Sequence, residues 1–177
     1  MLRLALFSLA VALAATSAQP QTKDRLDRRD KLFGFEAVGR LESASGHCTA
    51  ALIAPDVVLT AAHCAYGKRG HFVFRAAYSD GAALATRNVT DVVIAEGYIK
   101  AAATNDRARE VSNDVALMRL VSPIHDAGIN PYSIAQAPRA GARLTLASYG
   151  RGRTEALTLE RGCVLETRYH GGVVRID

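Results

Sequence analysis

The sequence predicts an all-β chain, on three observations. Apolar and β-branched residues come in runs of strand length. Gly, Pro, Ser and Asp separate those runs. No stretch sustains the 3.6-residue period of an amphipathic helix. In chain order, Phe35 to Leu41 alternates apolar and polar positions imperfectly. Cys48 to Ile53, Val57 to Ala61, Phe72 to Tyr78 and Asn88 to Ala95 follow as short apolar or β-branched runs. Ile99 to Arg109 is polar and Ala-rich, and reads as a loop with a helical turn. Val115 to Val121 is the next strand, closed by Ser122-Pro123. Pro123, Pro131, Pro138, Gly128 and Gly141 then mark a connector without periodicity. Arg143 to Tyr149, Cys163 to Tyr169 and Gly172 to Ile176 complete the series. Strands spaced in this way point to a sandwich or barrel.

The chain opens on an export signal. Arg3 supplies a small positive n-region and Leu4 to Ala15 an apolar run. Thr16-Ser17-Ala18 offers small residues for cleavage after Ala18. The run is too short to span a bilayer comfortably. The mature protein is therefore expected to be secreted or periplasmic, with no membrane span. Residues 19–34 are polar and alternate in charge from Lys23 to Lys31. They read as a solvated linker or pro-segment, with Arg28-Arg29 as a processing site. Residues 35–177 are enough for one domain. Its first unit is expected at about 35–122, the connector at 123–141 and a second unit at 142–177. The first unit has at least six candidate strands and the second about three, too few to close a barrel. The formal charge of +5 is scattered among acids, with no aromatic-basic patch, so nucleic acid is not expected as a partner.

The chemistry concentrates in two short stretches, Thr60-Ala61-Ala62-His63-Cys64 and Asn113-Asp114-Val115-Ala116-Leu117. His63 follows an apolar strand and sits among small residues, which leave an imidazole uncovered. Asp114 opens a run apolar enough to be buried, and a buried carboxylate is costly unless paired. His63 is its natural partner. Histidine is the side chain whose unperturbed titration suits a general base, and a carboxylate fixes its tautomer. Three cysteines are an odd count for an exported chain. Cys48 and Cys64 make a good disulfide pair for an oxidising compartment. Cys163 is left over, either as a buried thiol or with a partner beyond Asp177. Zinc on His47, Cys48, His63, Cys64 and Cys163 is the competing reading. The spacing matches no compact zinc pattern, and export favours the disulfide.

These residues carry a resemblance. The two stretches resemble the histidine and aspartate motifs of the trypsin-like, chymotrypsin-fold serine proteases. Cys48 to Leu59 is similar to the pair of strands leading to that histidine. Ala147-Ser148-Tyr149-Gly150-Arg151-Gly152 is similar to the segment opening the family's second barrel. The likeness runs from about Phe35 to Asp177. Glu36-Ala37-Val38-Gly39-Arg40-Leu41 is closer to bacterial exported, V8-like members than to animal trypsins. The resemblance implies two Greek-key β-barrels, the second incomplete. It implies serine-type hydrolysis of peptide bonds in a polypeptide substrate, without a cofactor or metal. His63 would be the general base and acid, Asp114 its orienter, and Cys48–Cys64 the adjacent disulfide.

The chain also departs from that pattern. It has no Gly-Asp-Ser-Gly-Gly-like segment and no Ile-Val-Gly-Gly start. Ser112 and Ser148 lack the glycine-flanked turn that exposes a nucleophile and aims N–H groups at an oxyanion. The expectation is that the nucleophilic serine lies beyond residue 177, and that these 177 residues alone are inactive. The alternative is a catalytically inactive protease-like binding or decoy protein. A lipase or esterase would need a Gly-x-Ser-x-Gly elbow, which the sequence lacks.

Overall fold

Alternating burial turns the apolar runs into sheet. In the strand Ala116–Leu120, Ala116, Met118 and Leu120 are buried while Leu117 and Arg119 face outward. The structure, a computed structural model, describes residues 23–26, 34–125, 128–150, 152–169 and 174–177. The expected export signal lies outside the described residues.

Among the described residues, ten strands and two short helices order as β1 (Lys23–Leu26), β2 (Val38–Ser43), β3 (Gly46–Ala54), β4 (Val57–Thr60), β5 (Val73–Ala76), β6 (Ala85–Ile94), α1 (Glu96–Ala103), α2 (Arg107–Ser112), β7 (Ala116–Leu120), β8 (Arg143–Ser148), β9 (Leu157–Arg168) and β10 (Val174–Ile176). The chain is all-β in architecture. β2 to β7 close into a six-stranded barrel in the order β2-β3-β4-β7-β6-β5. The chain crosses from β4 to β5 without pairing them, and from β6 to β7 through both helices. Closure leaves the barrel without a free edge. Its interior is filled by Leu41, Leu52, Val58, Phe74 and Met118, and Ile124, beyond β7, is buried in the same core. Gly39 on β2 is there because the Phe74 ring and the Arg75 carbonyl of β5 occupy the space of a side chain.

The second sheet is partial, with β9 pairing β1, β8 and β10. Val38, Tyr78, Tyr149, Leu157 and Leu159 pack the barrel against it. Tyr149 ties the halves twice, its hydroxyl donating to the Tyr78 carbonyl at 2.9 Å and its N–H to Thr49 Oγ1 at 2.9 Å. Arg40 adds a third tie, donating to the Thr154 carbonyl at 3.0 Å while lying over the Tyr78 ring.

Three expectations about local structure are corrected. Ile99 to Arg109 is not a loop with one turn but parts of two helices. Asp106 caps the second, its side chain accepting from the Arg109 N–H. Lys23–Leu26, expected as solvated linker, pairs antiparallel with Leu157–Glu160. Backbone hydrogen bonding to a sheet edge does not require an apolar sequence, so charge alternation hid this strand. Finally, β9 begins at Leu157 rather than Cys163. Gly162, at φ 81°, lies opposite a register shift between Leu144 and Thr145 and marks a bulge within one long strand.

Candidate active site

Strand register brings the two motifs together. Thr60, the last residue of β4, pairs with Ala116, the first of β7. His63 lies three residues beyond that pair on the β4 side and Asp114 two residues before it on the β7 side. β4 passes through extended Ala61 into a single 3-10 turn, Ala62–Cys64. Ala62 and Cys64 point inward and are buried, which turns His63 outward. Cys64 is bonded to Cys48 on β3, with Cα atoms 6.2 Å apart, so the turn is covalently fixed to the barrel wall.

Asp114 holds His63 at two points. Its Oδ1 accepts from the His63 backbone N–H at 2.8 Å, and its Oδ2 lies 2.7 Å from Nδ1 of the ring. A carboxylate only accepts, so Nδ1 carries a proton, and in the neutral ring Nε2 carries the lone pair. The His63 side chain is 62% exposed and that of Asp114 28%. His63 is thus a presented imidazole rather than a satisfied core histidine. The run after Asp114 is only half inward, since Val115 and Leu117 are exposed.

The helices that the sequence reading missed form one wall here. Tyr98 of α1 and Arg107, Glu110 and Val111 of α2 line a pocket of about 100 Å³ with His63 and Asp114. Burial, followed by the negative charges of Asp114 and Glu110, pushes the Tyr98 hydroxyl above its ordinary range, against the opposing effect of Arg107. Asn113 anchors the segment by donating to the Arg109 carbonyl at 2.9 Å. Gly97 of α1 packs against the Asn113 side chain so closely that a methyl group there would collide with it. The legible signal for α2 was Asp106, a capping residue at the start of a charged run.

The remaining candidates fall apart spatially. Ser112 donates its hydroxyl to the Arg109 carbonyl at 3.2 Å, and Ser148 lies on β8. Among the described residues, no serine hydrogen-bonds to His63; both of its bonds go to Asp114. Cys163 is a free thiol, fully buried on β9. His71 and His125 are exposed, and His170 lies outside the described residues. Of the zinc candidates, neither His47 nor Cys163 joins a cluster. Among the described residues, one group could hold a metal: Cys48, His63 and Cys64, with ligand atoms within 4.8 Å of one another. With the disulfide formed, the two sulfurs are not thiolates and do not ligate as such. No helix among the described residues is long and apolar enough to cross a membrane.

Comparison with known proteins bears on the family and the fold. The family model described as Trypsin matches residues 29–166. Among solved structures, a Glu endopeptidase in complex with MPD superposes with a TM-score of 0.68 at 19% identity, covering 84% of this chain and 70% of that one. Kallikrein-related peptidase 10 superposes with a TM-score of 0.57 at 18% identity, covering 75% of this chain and 58% of that one. At these identities the structural likeness establishes the fold. No curated protein matches the chain. The family model spans most of the sequence, the whole barrel together with β8 and most of β9, and the chain belongs to the Trypsin family.

Proposed function

We propose that this chain acts in an exported serine-type endopeptidase, hydrolysing peptide bonds in polypeptides by acyl transfer. His63 is the general base, Asp114 orients it, and the nucleophilic serine comes from beyond residue 177. The observation that carries the reading is the doubly held pair, Asp114 on both the backbone N–H and the ring Nδ1 of His63. With Nδ1 protonated, Nε2 takes the serine proton as the hydroxyl attacks the carbonyl. The imidazolium is stabilised by Asp114, and the proton then passes to the leaving amine. The Cys48–Cys64 disulfide supports an oxidising, exported setting.

The rival reading is a non-catalytic, protease-like binding protein. It draws on the absence of any serine bonded to His63 among the described residues. One experiment separates the two. The whole coding region is expressed and the secreted product treated with a serine-directed fluorophosphonate. The endopeptidase reading expects labelling that is lost in His63→Ala, with no labelling of the 177-residue chain alone. A full-length product that neither labels nor contains a Gly-x-Ser-Gly segment overturns the endopeptidase reading and leaves the binding protein.

A further inference from the structure

We propose that reduction of the Cys48–Cys64 disulfide converts the base of the site into a soft-metal site, in which the two thiolates and His63 hold one zinc-class divalent ion. Three different backbone positions bring the ligands together: Cys48 on β3, and His63 and Cys64 on the 3-10 turn after β4. Their ligand atoms lie within 4.8 Å of one another. A tetrahedral zinc ion with bonds of about 2.0 Å to nitrogen and 2.3 Å to sulfur needs its ligand atoms roughly 3.5–3.8 Å apart. The gap is about 1 Å, and release of the sulfurs from each other frees both cysteine side chains to move toward it.

The donor set is the one zinc and cobalt favour, two thiolates and an imidazole, with a fourth position open to water. Nδ1–H is held by Asp114, so the nitrogen with a free lone pair is Nε2. A ligating histidine that donates its other N–H to a carboxylate is the usual arrangement around zinc, and here the carboxylate is in place. Cys64 is buried, while Cys48 is half-buried and His63 exposed, so reductant and ion approach the cluster from the Cys48 and His63 side.

The chemistry balances with an external thiol as reductant. The protein disulfide and two thiol molecules give two protein thiols and one external disulfide. The divalent ion then displaces the two thiol protons. Coordination occupies the Nε2 lone pair. The metal site stands on geometry alone; only its consequence, loss of the general base, rests on the hydrolytic reading above.

The test uses the 177-residue chain and Co²⁺, and reads binding rather than activity. In protein reduced with excess dithiothreitol and then desalted anaerobically, Co²⁺ should bind one to one. The expected signs are visible d–d bands and a near-ultraviolet thiolate-to-cobalt band. The oxidised protein, which retains the free Cys163, should show neither. His63→Ala should weaken binding at least tenfold, and Asp114→Asn by roughly 10- to 100-fold. If reduction loosens the fold, Co²⁺ should raise the melting temperature of the reduced protein, because an ion that binds only the folded state stabilises it. The proposal is overturned by cobalt bands of equal strength in the oxidised protein, by affinity indifferent to His63→Ala, or by reduced protein that stays unfolded at saturating Co²⁺.

Discussion

Asp114 meets His63 through both carboxylate oxygens, one on the backbone N–H and one on the ring, at 2.8 and 2.7 Å. The first contact positions the turn that carries the imidazole, and the second selects its tautomer. The two roles separate experimentally. In Asp114→Asn the amide still offers one oxygen to the backbone N–H, but the ring loses its obligate acceptor. Long-range ¹H–¹⁵N correlation spectra of the imidazole should show the neutral wild-type ring protonated at Nδ1, and a shift toward the Nε2-protonated form in the variant. An unchanged tautomer would mean that Asp114 does not govern the ring.

Gly97 is the remote support of that pair. A side chain at Gly97 runs into Asn113, the residue directly before Asp114. Gly97→Ala is therefore expected to displace Asn113 and cost about 1–3 kcal/mol, as overpacking does. It should also move the His63 ring resonances. Gly81→Ala, where a side chain meets nothing, is the comparison; it carries only the strain of its positive φ and should leave those resonances in place. Denaturant unfolding and the same imidazole spectra check both variants.

The disulfide closes a loop with a sequence separation of 16 residues. Chain entropy for such a loop gives on the order of 3 kcal/mol. Cys48→Ser with Cys64→Ser should lower the melting temperature by roughly 6–12 °C for a chain of this size. Non-reducing peptide mapping of the wild type should recover the Cys48 and Cys64 peptides linked and Cys163 free.

Stability should fall on the alkaline side. Burial raises the hydroxyl pKa of Tyr98, Tyr132 and Tyr149 above the ordinary value of 10.0. Above about pH 10 the unfolded chain has lost these protons while the folded chain still holds them. The unfolded state then binds fewer protons, and stability declines as pH rises. Below that pH the contribution is fully present. Tyr149→Phe should cost about 1 kcal/mol at neutral pH through the lost bond to Tyr78, yet flatten the decline above pH 10. Urea midpoints from pH 8 to 11.5 test this, and an alkaline limb identical to wild type would remove Tyr149 from the account.

What the sequence determined by itself was local. A period of two and the punctuation of Gly and Pro mark most of the strands, because burial on one face of a sheet repeats every second residue. The His63 and Asp114 stretches were legible as an imidazole and its carboxylate partner, and Cys48 and Cys64 as a pair, because each motif is a few contiguous residues. Tertiary structure decided what depends on partners distant in sequence. The Thr60–Ala116 pairing alone brings His63 and Asp114 into hydrogen-bond contact, since strand register is a property of the closed barrel. The wall of Tyr98, Arg107 and Glu110 escaped the sequence because two short helices on a barrel rim lack a long apolar stripe. The pairing of Lys23–Leu26 with β9 escaped because a backbone ladder leaves no side-chain signature. The closeness of His63 to the two sulfurs came last. It needed the 3-10 turn that buries Ala62 and Cys64 and sets the imidazole outward beside the disulfide.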